Sequence, residues 1–160
     1  MSTIRKKLIL FWRILFYIIS LLTIIVAFTF LFIIISKKKW YPVFFWIARW
    51  WAVIILFLMG LIPEITSEEE IKRGESYVFC PNHTSMIDIM LMLSVTTAPF
   101  VFLGKQELAR IPVFGYIYKR TCILVDRESA RSKNKAFLAA QKRLQNGLSI
   151  CIFPEGKVPD

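Results

Sequence analysis

A single histidine, His83, stands five residues before Asp88 in the segment Asn82-His83-Thr84-Ser85-Met86-Ile87-Asp88. With an ordinary pKa of about 6.5, imidazole is suited to proton transfer near neutrality. In one regular helix a five-residue spacing sets two side chains about 140° apart, on different faces. The two groups therefore meet only if His83 lies in the turn before a helix and Asp88 in its first turns. Asn82, Thr84 and Ser85 are all residues that favour a helix start, which supports that arrangement. An aspartate on one ring nitrogen fixes the tautomer and leaves the other nitrogen free as a base. Such a base needs no serine nucleophile, because it can activate an acceptor hydroxyl that attacks an acyl donor in one step. The plainer alternative is that Asn82 and Asp88 cap a helix and His83 is incidental.

Two further polar clusters follow apolar runs. Asp126-Arg127 follows Cys122–Val125, and Pro154-Glu155-Gly156-Lys157 follows Leu148–Phe153. Arg127 offers a planar fork of donors that matches a phosphate, with a salt bridge to Asp126 or Glu128 as the ordinary alternative. Lys105 and Arg110 are cations near another strand end. Glu155-Gly156 is a place where backbone can come close to a ligand, or a simple turn. The three cysteines, Cys80, Cys122 and Cys151, form no Cys-x-x-Cys pair. Their odd number argues against a disulfide framework, and one histidine argues against a zinc site. Each lies in an apolar run and is expected to be a small buried hydrophobe. Cys80 as a thiol nucleophile is the weaker reading.

These clusters need elements to hold them. Tyr77–Cys80, Phe100–Leu103, Cys122–Val125 and Leu148–Phe153 read as strands. Ile87–Val95 and Ala130–Asn146 read as helices, with shorter helical pieces at Gln106–Arg110 and Phe114–Lys119. Gly74 with Glu75 suggests a turn, and Gly147 a helix stop. Strand–helix alternation predicts an α/β domain with a largely parallel sheet and flanking helices over residues 64–160. In such a sheet the three polar clusters leave the same edge, where sites form.

Residues 1–63 differ in kind. They carry eight basic residues and no acid, against thirteen basic and eleven acidic residues in 64–160. Ile14–Ile35 has no charge over 22 residues, enough at about 1.5 Å per residue to cross a ~30 Å hydrocarbon core. Lys37, Lys38 and Lys39 follow it, and Arg5, Lys6, Lys7 and Arg13 precede it. A second run, about 41–63, holds Trp46, Trp50 and Trp51 with Arg49 near its middle. It reads as the second arm of a membrane hairpin or as an interfacial helix. The charges flank apolar runs, which suits an anionic bilayer surface and excludes nucleic acid as a partner. Both ends of the first span are basic, so charge alone does not orient it.

The blocks Asn82-His83-x-x-x-x-Asp88, Gly104-Lys105-x-Glu107-Leu108-x-x-x-Pro112-x-x-Gly115, Val125-Asp126-Arg127 and Phe153-Pro154-Glu155-Gly156 resemble the glycerophosphate acyltransferases, in order and spacing. Within that family the bacterial 1-acyl-glycerol-3-phosphate acyltransferases are the nearest likeness. The resemblance implies His83 as general base and Asp88 as its orienting partner. It implies Arg127, Glu155 and Gly156 at the acceptor phosphate and Asn82 and Lys105 among the substrate contacts, with Lys157, where the family often has another residue, able to supply a cation there without the bidentate fork. The implied donor is acyl-CoA or acyl-acyl carrier protein, the acceptor a lysophospholipid at a membrane, and no cofactor or metal is called for. The implied location is the bacterial inner membrane, catalytic domain on the cytoplasmic face.

Two departures from the family pattern stand out. Lys157-Val158 replaces the Thr-Arg that often follows Phe-Pro-Glu-Gly, and the chain stops at Asp160. The expectation is a C-terminally incomplete domain whose sheet ends on the Phe153 strand as an exposed edge. A catalytically silent lipid-binding module of the same fold is the alternative to an enzyme. A thioesterase using His83 and Asp88 on water is weaker, since it gives no use to Arg127.

Overall fold

The computed structural model describes residues 3–72 and 74–156. Helix α1 runs Thr3–Ile35 without a glycine or proline to interrupt it, about 50 Å at 1.5 Å per residue. It therefore starts well before Ile14 and takes Arg5, Lys6, Lys7 and Arg13 onto its first turns. The chain reverses through a 3-10 turn at Lys38–Trp40 and enters α2, Tyr41–Leu58, with Pro42 in its first turn. Both helices are long and apolar enough to cross a membrane. The indole Nε1 of Trp51 donates to Thr23 Oγ1 at 2.8 Å and ties α2 to α1.

After residues 61–77 come β1 (Val78–Phe79), α3 (Ile87–Val95), β2 (Phe100–Lys105), a 3-10 segment Gln106–Arg110, α4 (Phe114–Thr121), β3 (Ile123–Val125), α5 (Ala130–Gln145) and β4 (Ser149–Cys151). All strand pairs are parallel, in the order β1-β4-β2-β3. The α/β class with flanking helices follows as expected. The edge does not: β4 inserts between β1 and β2, so the edges are β1 and β3. Two crossovers run in one direction across the sheet and α5 returns in the other, which brings β4 to the centre.

That reversal also sorts the helices. Side chains alternate across a strand, so Phe100 and Cys151 enter one core with α2 and α3, while neighbouring Val101 and Ile150 enter another with Ala136 of α5. Helix α5 is well bounded. Ser129 Oγ accepts from Ser132 N at its start. At its end Gly147 adopts φ 77°, with Gly147 N bonded to Leu144 O and Leu148 N to Arg143 O.

Helix α2 belongs to the same packed body. Phe45, Ala52, Ile55 and Leu56 are buried against α3 and β2, and Tyr41 Oη donates to the Phe100 carbonyl at 2.8 Å. Arg49, the costly residue of the second apolar run, donates to the Thr96 carbonyl at the end of α3 at 2.6 Å. One expectation about the cysteines changes. Cys151 is buried, but Cys80, just past the two-residue edge strand β1, is exposed.

Candidate active site

His83 lies in the turn between β1 and α3, and Asp88 is the second residue of α3. His83 is only 9 % exposed. Its Nδ1 is 3.2 Å from Asp88 Oδ2. The same oxygen accepts from the backbone N–H of Thr84 at 2.6 Å and of Ser85 at 2.8 Å. The helix start is thus capped in reverse. No Asn82, Thr84 or Ser85 side chain occupies the cap position, which falls to Met86, and the Asp88 carboxylate reaches back to the turn. Its charge sits at the positive end of α3 and holds the turn that carries His83. A carboxylate only accepts, so Nδ1 carries the proton and Nε2 is left as the basic nitrogen.

One face of the imidazole is closed. The Phe153 ring stacks on it, centroids 4.1 Å apart and planes 22° apart. Phe153 lies just past β4, and the pairing of Phe79 with Cys151 brings the ends of β1 and β4 side by side. Phe153 stacks in turn on Phe102 of β2, with centroids at 6.0 Å.

His83 lines an apolar cavity of about 1340 Å³ walled by α1, α2, α3, β2 and α4. Ordinary small-molecule pockets hold about 300–1,000 Å³, so there is room for a long chain as well as a headgroup. Lys105, Arg127 and Gly156 line the same cavity, as does Arg13 of α1. Asn82, Arg110 and Glu155 are exposed and do not line it, and Lys157 lies outside the described residues.

Arg127 does not pair with its neighbours. Asp126 is occupied by the loop, accepting from Glu128 N at 3.0 Å while its own N–H bonds Ser132 Oγ at 2.9 Å. Arg127 Nη1 instead donates to the carbonyl of Gly156. Gly156 has φ 74°, and a Cβ there would collide with the guanidinium. A glycine is thus required both by the backbone and by the arginine lying against it.

The far wall is held tightly. A side chain at Gly104 would overlap the hydroxyl of Tyr118, and one at Gly115 the carbonyl of Ala109. Burial pushes the Tyr118 phenol above its ordinary pKa, so it stays protonated. Between them Val113 adopts φ 62° and ψ −64°, with Phe114 N bonded to Pro112 O at 2.6 Å. This is a tight γ-turn, costly for a β-branched residue, and it starts α4 directly beside the cavity.

A family model described as Acyltransferase matches residues 62–159. The chain belongs to the acyltransferase family. Among curated proteins, the chain is 35% identical over 104 residues to a 1-acyl-sn-glycerol-3-phosphate acyltransferase of Borreliella burgdorferi, covering 64% of this chain and 42% of that one. It is 29% identical over 116 residues to a lyso-ornithine lipid O-acyltransferase of Rhizobium meliloti, covering 72% and 38%. The chain thus spans about two-fifths of the length of these curated relatives. The crystal structure of the 1-acyl-sn-glycerophosphate acyltransferase from Thermotoga maritima has the same fold, with a TM-score of 0.75 and 21% identity over 97% of this chain and 64% of that one.

Sequence reasoning placed His83, Asp88, Lys105, Arg127 and Gly156 at strand ends; the fold brings His83, Lys105, Arg127 and Gly156 onto one cavity wall, with Asp88 held to His83 rather than lining the cavity. It missed the Phe153 ring over His83 and the Arg13 side chain on the cavity wall. The neighbourhood of β1 and β4 carries no local signal. Arg13 does have one: Ile9, Arg13, Phe16, Ser20 and Ile24 recur at helical spacing, and all of them line the cavity.

Proposed function

We propose that this chain transfers a fatty acyl group from acyl-CoA or acyl-acyl carrier protein to the free hydroxyl of 1-acyl-glycerol-3-phosphate, giving phosphatidic acid for phospholipid synthesis. The observation that carries this reading is His83, paired with Asp88, on the wall of a large apolar cavity that the cations Lys105 and Arg127 also line. His83 Nε2 removes the proton of the acceptor hydroxyl, and its oxygen attacks the thioester carbonyl. The new C–O bond forms, the C–S bond breaks, and the departing thiolate takes the proton back from the imidazolium. Asp88 stabilises that imidazolium and holds the ring. Arg127 and Lys105 bind the acceptor phosphate, with Gly156 giving the backbone approach.

Residues 1–63 act as the membrane anchor and 64–160 as the catalytic domain, on the cytoplasmic face of the bacterial inner membrane. The acceptor is itself a membrane lipid, and an active site that opens between anchor helices and α/β domain meets it without extracting it into water.

The test is steady-state transfer in detergent micelles with each donor, using lysophosphatidic acid and lyso-ornithine lipid as competing acceptors. His83→Ala is expected to lower turnover by at least ~10²–10⁴-fold, the usual cost of losing a positioned base. Turnover by that variant at the wild-type rate removes the assignment. Transfer to lyso-ornithine lipid alone moves the acceptor away from phosphate and leaves Arg127 without its proposed role.

A further inference from the structure

The geometry points to Phe153 as a positioning residue for His83: its ring holds the imidazole in the plane of the reaction and stabilises the imidazolium formed during transfer. The inference rests on the general-base reading above. Asp88 alone restrains His83 poorly. A single contact at 3.2 Å to Nδ1 leaves the ring free to turn about that axis and swing Nε2 out of line. A ring stacked at 4.1 Å and 22° blocks that rotation. Phe153 is itself fixed, because Phe102 lies parallel to it at 13° on its neighbouring strand. The three rings His83, Phe153 and Phe102 follow the strand order β1-β4-β2, so the sheet aligns the base. The face of an aromatic ring also attracts a cation, and the imidazole becomes one only after it has taken the proton. The interaction is therefore stronger in the state that leads to product than in the resting enzyme, which is the condition for raising the rate.

The experiment compares wild type with Phe153→Leu, which keeps apolar bulk without a ring, and with Phe153→Tyr and Phe153→Trp, which restore one. His83 is the only histidine, so its imidazole protons give an unambiguous NMR signal in micelles. Two readouts are taken: the ring-current displacement of those protons, and kcat against both KM values. In Phe153→Leu the upfield displacement should vanish and kcat fall by about 2- to 30-fold, the range that ring–cation attraction supports, with both KM values little changed. Tyr and Trp should recover the displacement and most of kcat. Unmoved imidazole signals in Phe153→Leu would overturn the stack. A full kcat in Phe153→Leu, or Tyr and Trp variants as slow as Leu, would overturn the positioning role. The NMR readout does not depend on turnover, so a failure of the acyltransfer reading is seen separately in His83→Ala.

Discussion

Arg49, midway along α2, donates to the main-chain carbonyl of Thr96 at 2.6 Å, where α3 ends. A guanidinium at the negative end of a helix satisfies an orphan carbonyl and complements the helix dipole. The bond fastens the second apolar helix to the helix that begins with Asp88. It also accounts for an arginine inside an otherwise apolar run, since the charge is directed at protein rather than lipid. Arg49 further lies over the Trp46 ring, 6.0 Å from its centroid.

Arg49→Ala should therefore loosen the α2–α3 contact. Hydrogen bonds to charged groups contribute about 1.5–3 kcal/mol, and Thr96 is 1 % exposed, so its carbonyl would be left without a replacement from bulk water. Arg49→Lys should recover part. Thermal unfolding in detergent checks this, and an Arg49→Ala protein that melts with wild type would mean that apolar packing alone joins the two helices.

Asp88→Asn should lower kcat strongly while acceptor KM moves little. The amide oxygen can still accept from Thr84 and Ser85 N–H, so the turn persists, but the charge that stabilises an imidazolium is gone. A variant changed only in KM would place Asp88 in binding.

Arg127→Ala should raise acceptor KM by roughly one to two powers of ten, the equivalent of one lost charge-assisted bond to phosphate, with donor KM nearly unchanged. Arg127→Lys should rescue only part, because a point charge lacks the fork. Gly156→Ala should imitate Arg127→Ala, since its methyl group would displace the guanidinium. Kinetics with acceptor and donor varied separately decide this. If donor KM alone rises, the phosphate site belongs to Lys105 or Arg13.

The thiols give a pH test. Burial pushes both Cys122 and Cys151 up to about 12. An alkylating reagent at pH 8 should label exposed Cys80 first, half-buried Cys122 on the cavity wall more slowly, and buried Cys151 only when the protein unfolds. The sign for stability follows. Unfolded thiols release their protons near pH 8.5 while the folded ones keep theirs, so the unfolded state binds fewer protons above that pH. Stability contributed by these sites is complete below about pH 8.5 and declines as the pH rises towards 12. Equal labelling of all three cysteines in the native protein at pH 8 would contradict this burial.

Much of the architecture was legible from the chain. The α3 boundaries at Ile87 and Val95, the 3-10 segment at Gln106–Arg110 and the α5 stop at Gly147 all rest on local chemistry: apolar spacing, Pro112, and a glycine with positive φ. Strand–helix alternation likewise implied a parallel sheet, and a parallel sheet puts the ends that carry His83, Arg127 and Gly156 on one edge. Because α1 has no breaker between Thr3 and Ile35, its basic first turns were always able to join the helix, yet the charge pattern suggested a start at Ile14.

Strand neighbourhood was a different matter. That β4 inserts between β1 and β2 depends on α5 crossing back over the opposite face, a long-range choice no short segment encodes. From that choice follow the Phe153 ring over His83 and the closing of Arg127 onto Gly156. The residue types and their spacing, fixed by covalent order, determined which groups could act as base, partner and phosphate fork. Packing of α1 and α2 against the domain decided where the cavity runs, that Arg13 reaches its wall and that Arg49 turns to Thr96. These outcomes arise from burying apolar faces that could pair in several ways, and only the complete set of contacts selects one.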